Sequence, residues 1–379
     1  MLTPDETGRV ALLVPTYRNT PQILANLTYL AALSSQDIRV YIFDSSSDAT
    51  KREYVLRLRD AYPFCDVSIR PQRTPLYPEV MRFLEIAGSY PYVAICADDD
   101  YMSLDYVVQS VDVLERDSAA VCSYGNYLVW LSKRSIFLDS RDVTESSPVT
   151  RLAHGFDPNR FNTMFFAVFR RNAMTPWLNF CKGHPMAGPF LDFIHCWSLL
   201  AQGTVRCHQS GFYLWTGENW DTWNSNLRSR VRYYNAVGLP EAFTPFHDLH
   251  FAVEGLHFFL GEHSPITDQD TRMACAQTVW SRCMGRFCKD VQLHRQKYLD
   301  LLRHSPQSLQ ALHTLVQPSN SSPAMLIDQF VTIIEAFSKQ HAQRYSAHVR
   351  ASLSRAALFE GAHVEIPCRD TDSVQRDDC

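Results

Sequence analysis

A short apolar run, Tyr92-Val-Ala-Ile-Cys96, stops at three consecutive carboxylates, Asp98, Asp99 and Asp100. A run of this length and composition predicts a buried strand. No core holds three adjacent ionised carboxylates unpaired, because desolvating each costs several kcal/mol or more. The cluster therefore belongs at a strand end, facing solvent or a cation. In open α/β sheets the carboxyl ends of the strands are where ligands bind. Hard divalent cations take oxygen ligands, typically one or two carboxylates together with substrate phosphates. Two readings stand side by side: a strand-end metal site that holds a diphosphate, and a solvated acidic turn that caps a helix after Ser103.

The residues before the cluster bear on that choice. Val10 to Pro15 is an apolar strand ending in Thr16-Tyr17-Arg18-Asn19-Thr20-Pro21, where Thr20 suits an N-cap and Pro21 a first helical position. Ile23, Leu24, Leu27, Leu30 and Leu33 follow at helical spacing. Ile38 to Phe43 is a second strand, running into Asp44-Ser-Ser-Ser-Asp48 and a helix to Ala61. A weaker strand at 66–69, a loop at 71–78 and a short helix at 79–87 lead to the Tyr92 strand. A helix at 103–116 and a strand at 119–122 come after it. Strands alternating with helices predict a doubly wound, largely parallel sheet. Such a sheet brings Thr16 to Arg18, Asp44 to Asp48, and Asp98 to Asp100 to one edge.

Beyond this half the pattern loosens. Residues 124–138 predict a hairpin, 140–158 a polar irregular loop, 160–169 a Phe-rich strand, 190–202 a helix ending at Gly203, and 204–213 a strand. Trp215, Trp220 and Trp223 interleave with Glu218, Asn219 and Asp221. That mixture suits stacking on sugar rings, and equally a packed aromatic lid. From Pro240 helical spacing dominates: 241–260, 270–302, a short helix to Val316, and a last helix from Ser322 with Leu326, Phe330, Ile333, Phe337, Tyr345 and Val349 on one face. Its second half carries Lys339, Arg344, Arg350 and Arg355, fit for an anionic membrane or saccharide or simply for a solvated face. Residues 361–379 predict a disordered tail. The domain reading is 1–239 for the α/β part, with halves at 8–125 and 126–239, and 240–360 for an all-helical domain.

A chain of 379 residues is long enough for two or three domains. Its net charge of -4 argues against a nucleic-acid partner. Eleven cysteines without CxxC pairs suit a reducing cytoplasm. The N-terminus shows no leader pattern, and no apolar run approaches the ~18 residues of a membrane span.

Taken in order, Val14-Pro-Thr-Tyr-Arg18, Ile42-Phe-Asp44-Ser-Ser-Ser-Asp48 and Pro91-Tyr-Val-Ala-Ile-Cys-Ala-Asp-Asp-Asp-Tyr101 resemble the nucleotide-binding half of the family 2 glycosyltransferases, which have the GT-A fold, a Rossmann-like sheet flanked by helices. The last motif, with Ser123-Tyr-Gly125, is closest to a bacterial subgroup with an Ala-Asp-Asp-Asp motif. The resemblance covers residues 8 to 235. It implies an inverting transfer from a nucleotide-diphospho-sugar, a UDP-sugar foremost, to a saccharide or glycolipid acceptor. It also implies Mn²⁺ or Mg²⁺ as cofactor.

The resemblance further implies that Pro15, Thr16, Tyr17, Arg18 and Asp44 contact the nucleotide. Asp98 would meet the ribose, and Asp100 with Asp99 the metal, with His208 a weaker metal ligand. Two departures stand out. Ala97 occupies the position where the family's Asp-x-Asp-Asp has an aspartate, and the family's Ala-Arg-Asn-x-Gly helix is absent. Arg82 or Arg73 is then either the diphosphate's positive partner or an ordinary surface arginine. Asp192, in Phe-Leu-Asp-Phe, matches the family's general-base position, although Leu191 stands where a first acid often does; a helix-start aspartate is the plainer alternative. His184 and His195 are rival bases. His184, Trp215, Glu218 and Trp220 are candidate acceptor contacts. A cytoplasmic location including the inner face of the membrane, peripheral membrane contact, and a homo-oligomer through the C-terminal helices complete the expectation. The alternatives are a catalytically inactive saccharide- or nucleotide-binding scaffold and a sugar-phosphate nucleotidyltransferase. The latter needs a Gly-rich phosphate loop after the first strand, where this chain has Pro-Thr-Tyr-Arg.

Overall fold

The computed structural model describes residues 8–72, 76–131, 135–138, 141–158, 162–186, 188, 191–216, 223–317, 320–356 and 363–366. Their contacts divide the chain into two compact units. The first is Met1–Phe156, Phe161–Lys182 and His195–Asn226; the second is Asp157–Arg160, Gly183–Ile194 and Leu227–Cys379.

The first unit is α/β. It runs β1 (Val10–Thr16), α1 (Pro21–Ala32), β2 (Ile38–Asp44), α2 (Ala49–Ala61), β3 (Cys65–Ile69), α3 (Leu76–Ile86), β4 (Tyr92–Ile95), β5 (Tyr101–Met102), α4 (Leu104–Arg116), β6 (Ala120–Trp130), β7 (Ser135–Leu138), α5 (Pro148–Gly155), β8 (Val168–Arg170) and α6 (Thr175–Cys181). Next in the chain come α7 (Leu191–Gln202) and β9 (Thr204–Thr216). The sheet order is β3-β2-β1-β4-β8-β6-β9-β5, with β7 added to β6. β1 pairs in parallel with β2 and β4, and β2 with β3. Their buried Leu12, Val14, Val40, Ile42, Val93 and Ala94 are why this part reads as continuous apolar runs.

The other half of the sheet is mixed rather than largely parallel. β8 lies antiparallel between β4 and β6, while β6 and β9 run parallel. Antiparallel insertion lets β9 return its far end to β5, beside the aspartates. The strand and the hairpin expected at 119–138 are one long strand, β6, with β7 folded against it. The expected loop at 140–158 contains α5, because Ser147 caps it through Val149 N–H and Pro148 opens it. The expected strand at 160–169 shrinks to Val168–Arg170, preceded by a 3₁₀ turn at Thr163–Phe166.

The second unit is built on helices. It holds most of α8 (Trp223–Ala236), then α9 (His247–Leu260), α10 (Gln269–Leu293), α11 (Arg295–Leu302), α12 (Pro306–Val316), α13 (Pro323–Glu335) and α14 (Lys339–Ala356). It starts before residue 240 because Tyr234 is buried on α9, its hydroxyl 3.0 Å from His247 Nδ1 and 3.1 Å from His250 Nδ1. The single helix expected from Ser322 is two, broken where Ser338 caps α14 through His341 N–H. Leu326, Phe330, Ile333, Tyr345 and Val349 are all buried within the unit. Phe337 is half-buried beside Phe243 and Phe246, so among the described residues this face packs within the unit. The tail is not wholly without structure: Val364–Glu365 pairs with Asn320–Ser321, and the alternating Val364 and Ile366 are buried. Among the described residues, no helix is long and apolar enough to cross a membrane.

One glycine sets the bend that brings β9 across α4. Gly211 has φ +67°, and a Cβ there would lie 2.3 Å from Tyr106 N and 2.5 Å from Ser103 Oγ. Asn126 Nδ2 donates to the carbonyls of Gln209 and Gly211 at 2.9 and 3.0 Å and holds the bend from β6. Gly211→Ala is expected to destabilise the chain by about 1–3 kcal/mol or more, from the left-handed backbone and the close approach together. Urea unfolding at equilibrium measures it, and an unchanged midpoint would contradict this role.

Candidate active site

The carboxyl ends of β1, β2 and β4 meet as expected. Thr16 pairs in register with Asp44, and β4 leads into Asp98–Asp100. What joins them is a residue the sequence did not single out. Lys51 is fully buried, its Nζ 3.2 Å from Asp44 Oδ1 and donating to Thr16 Oγ1 at 2.7 Å. Thr16 Oγ1 in turn donates to Asp98 Oδ2 at 2.6 Å. Asp44 also accepts from the amide and hydroxyl of Ser46, at 3.1 and 2.9 Å. A signal for Lys51 was present. Asp48 caps α2, accepting from Lys51 N–H at 2.9 Å, and helical side chains lean toward the N-terminus. A lysine in that first turn reaches back over the strand ends.

Burial lowers the Lys51 pKa, opposed by Asp44 and then Asp98. Burial raises Asp98, opposed by the Thr16 hydroxyl and by Lys51 and Arg18. The linkage offsets part of the buried charge: one ammonium serves two carboxylates, Asp44 directly and Asp98 through a hydroxyl.

The three aspartates face different ways. Asp98 is buried and tied to Thr16. Asp100 is buried against β9. Its Oδ2 accepts from Tyr213 OH at 2.6 Å, and its Oδ1 accepts from Thr216 N–H at 2.8 Å and Thr216 Oγ1 at 3.2 Å. Burial, then the neighbouring Asp99, push Asp100 up to about 7 against the opposing bonds from Tyr213 and Thr216. Asp99 is half-buried, and its carbonyl accepts from Thr216 Oγ1 at 2.5 Å. Asp99 is thus the least buried of the three, and Asp100 braces β9. The sequence offers no signal for Tyr213 and Thr216, which lie more than a hundred residues along the chain.

Tyr17 is 49% exposed at the end of β1, with Arg18 Nε donating to its hydroxyl at 2.9 Å and the guanidinium 5.3 Å from its ring. Burial works against the Arg18 charge, but Tyr17 and the carboxylates of Asp99 and Asp98 outweigh it and hold the pKa up. Pro15 is half-buried and pairs with Phe43. Arg82 is a surface residue of α3 in an exposed pair with Glu85 at 3.1 Å. Arg70, bound to Glu79 at 2.9 Å, is nearer the carboxyl end of β2, with its N–H donating to Asp44 O at 2.7 Å.

The remaining candidates fall elsewhere. His208 is turned to α4, with Nε2 2.8 Å from Ser110 Oγ. Among the described residues it joins the aspartates in no group of three side chains close enough to share an ion. His195 is buried among Trp177, Phe169 and Phe165, at ring distances of 4.5, 4.7 and 5.5 Å. Burial holds its pKa down at about 3 and keeps it a neutral residue of the core. His184 is buried in the second unit, bonded to Glu254. Trp215 is half-buried on β9, paired with Val129. Asp192 is half-buried in the first turn of α7. Arg73, Glu218 and Trp220 lie outside the described residues.

Residues 11–175 match the model of the Glycosyl transferase family 2. The stretch holds Thr16, Asp44, Lys51 and the three aspartates, and the match supports a glycosyltransferase. Asp192 and β9 lie beyond it. No curated protein sequence matches the chain. Among solved structures, S. aureus TarS 1-349 in complex with UDP-GlcNAc is similar at 11% identity and a TM-score of 0.43, covering 91% of this chain and 92% of that one. A mannosyltransferase from Pyrobaculum calidifontis in complex with GDP-Man and Mn²⁺ is similar at 13% identity and a TM-score of 0.46, covering 93% of this chain and 88% of that one. Likeness at this level carries no ligand over to this chain. The mixed sheet with its flanking helices and the helical region after it are GT-A-like, as the sequence predicts.

Two outcomes test the buried linkage. Lys51→Met removes the ammonium and leaves two buried carboxylates uncompensated, at an expected cost of about 3–5 kcal/mol in urea unfolding; a loss under about 1 kcal/mol would mean the linkage is idle. In EDTA, the raised pKa of Asp100 means the folded chain binds a proton that the unfolded chain, with Asp near 3.8, has released. This residue's share of the unfolding free energy therefore falls as pH rises from about 4 to about 7, and Asp100→Asn should flatten the profile in that window. An unchanged profile would place Asp100 in a more polar setting than this.

Proposed function

We propose that the chain is a nucleotide-sugar glycosyltransferase, inverting and dependent on a divalent cation. The observation that carries this reading is the buried Asp44–Lys51–Thr16–Asp98 linkage at adjoining strand ends, inside the stretch that matches the family. Thr16 fixes one oxygen of Asp98, so its carboxylate is oriented to accept from the ribose hydroxyls. Tyr17 offers an exposed ring for the base, with Arg18 beside it as a positive partner for phosphate. Pro15 keeps the strand end rigid. Asp44 acts through Lys51, holding Thr16 in place.

Asp99, the least buried of the three, offers the carboxylate for a Mn²⁺ or Mg²⁺ ion that would take its other ligands from phosphates and water. Such an ion, when bound, stabilises charge on the departing diphosphate. Asp100 keeps the turn that carries Asp99 against β9.

In an inverting transfer the acceptor hydroxyl oxygen forms a bond to the anomeric carbon as the bond to the diphosphate oxygen breaks. The electron pair leaves with the diphosphate. The hydroxyl proton needs a base, and Asp192 is the carboxylate assigned to take it. The acceptor is a saccharide or glycolipid, with Trp215 as a stacking surface, and the donor class is a UDP-sugar.

Calorimetric titration and a transfer assay separate binding from turnover. Asp99→Asn is expected to weaken cation-dependent nucleotide binding while the chain stays folded. Asp192→Asn should leave binding intact and lower turnover by a factor on the order of 10²–10⁴. Equal affinity in EDTA would remove the cation from the account. Tight cation-dependent binding with no transfer to any saccharide or glycolipid would point to a nucleotide-binding scaffold.

A further inference from the structure

The second unit holds a cluster that the transfer reaction does not use. Glu254 on α9 is fully buried, and among the described residues no lysine or arginine lies within ion-pair distance of it. A buried carboxylate needs a positive partner or a full set of donors. Its two oxygens have different company. Oε1 accepts from Tyr345 OH at 2.6 Å and lies 3.3 Å from His250 Nε2. Oε2 lies 3.1 Å from His184 Nε2 and 3.2 Å from His257 Nδ1. One oxygen is thus oriented by a phenol, with an imidazole close by, and the other faces two imidazoles.

The geometry points to a Zn²⁺ site formed by His184, Glu254, His257 and His348. Ligand atoms of the first three lie within 4.8 Å of one another; His348 stands outside that group and has to turn its ring to complete the set. The contacts at 3.1 and 3.2 Å are close to the edge of a tetrahedron with metal–ligand bonds of 2.0–2.1 Å, about 3.3 Å. His348, half-buried on α14, brings a third imidazole. Its ring is 4.7 Å from that of His184 and 5.6 Å from that of His257, and those two are 5.4 Å apart. Three imidazoles on one tetrahedral zinc stand about 5 Å apart, ring to ring. Nitrogen and carboxylate donors without thiolate suit Zn²⁺, and four protein ligands make a closed, structural site. Tyr345 on Oε1 orients the carboxylate from outside the ligand set, as such sites require.

Met186 N–H donates to His184 Nδ1 at 3.1 Å, so the proton of that ring sits on Nε2 and faces Glu254. Coordination through Nε2 moves the ring proton to Nδ1, and the turn at 183–186 gives way to release the Met186 amide. Zinc would then tie that turn to α9 and α14, eight residues ahead of Asp192 in the chain.

The test is elemental analysis of the untagged full chain, purified without chelator, beside thermal unfolding. About one zinc per chain is expected. Chelation by 1,10-phenanthroline should lower Tm, and added Zn²⁺, but not Mg²⁺, should restore it. His348→Ala, at the half-buried edge, and the double variant His184→Ala, His257→Ala should lose the metal, while Asp99→Asn keeps it. If the double variant fails to fold, Co²⁺ added to the chelated wild type should give the visible absorption of a tetrahedral site. Background metal content with a Tm indifferent to chelation and to zinc would leave the cluster a hydrogen-bonded hub and overturn the proposal. Zinc that survives in the histidine variants and disappears in Asp99→Asn would overturn it as well.

Discussion

A single ammonium, that of Lys51, lets the strand ends of the α/β unit carry negative charge without coming apart. Asp44 and Asp98 are buried at the ends of β2 and β4, and β1 runs between those strands. Lys51 reaches Asp44 directly and Asp98 through the Thr16 hydroxyl. A hydroxyl that accepts from an ammonium and donates to a carboxylate passes the compensation on without bringing the two charges together. An acidic edge follows, its side chains held in place by the fold itself.

The other side of that edge is fixed by β9. Tyr213 and Thr216 take hold of Asp100, and Thr216 also bonds the Asp99 carbonyl. The antiparallel pairing of β9 with β5, and the bend at Gly211, place these two residues where the aspartate turn ends. Asp98 and Asp100 are therefore each bound to the fold, from opposite sides, and Asp99 between them is the least enclosed. This division of work within three adjacent, chemically identical residues comes from their surroundings, not from their type.

The parts of this arrangement that were legible in the sequence are the local ones. Apolar runs ending in polar clusters marked β1, β2 and β4 and the edge they share. Thr20, Asp48 and Ser103 marked the helix starts, and each caps as its side chain suggests. The parts that were not legible depend on pairings between distant segments. Nothing near Asp100 announces Tyr213, and nothing near His184 announces Glu254, seventy positions away. Apolar spacing also cannot tell an exposed face from a buried one, and Leu326, Phe330, Ile333, Tyr345 and Val349 are interior residues of the helical unit. The mixed character of the sheet was hidden for a similar reason, since Val168–Arg170 is too short to show its direction.

On the proposed function, the linked strand ends of β1, β2 and β4 receive a nucleoside diphosphate. The most direct measurement is a crystal structure of the full chain grown with a nucleoside diphosphate and Mn²⁺, read by the anomalous signal of the ion. The diphosphate is expected beyond Thr16 and Asp98, the ion on Asp99 and the base at Tyr17, with Lys51 still between Asp44 and Thr16. Nucleotide density away from these strand ends, or an ion at the ends with no nucleotide beside it, would contradict it.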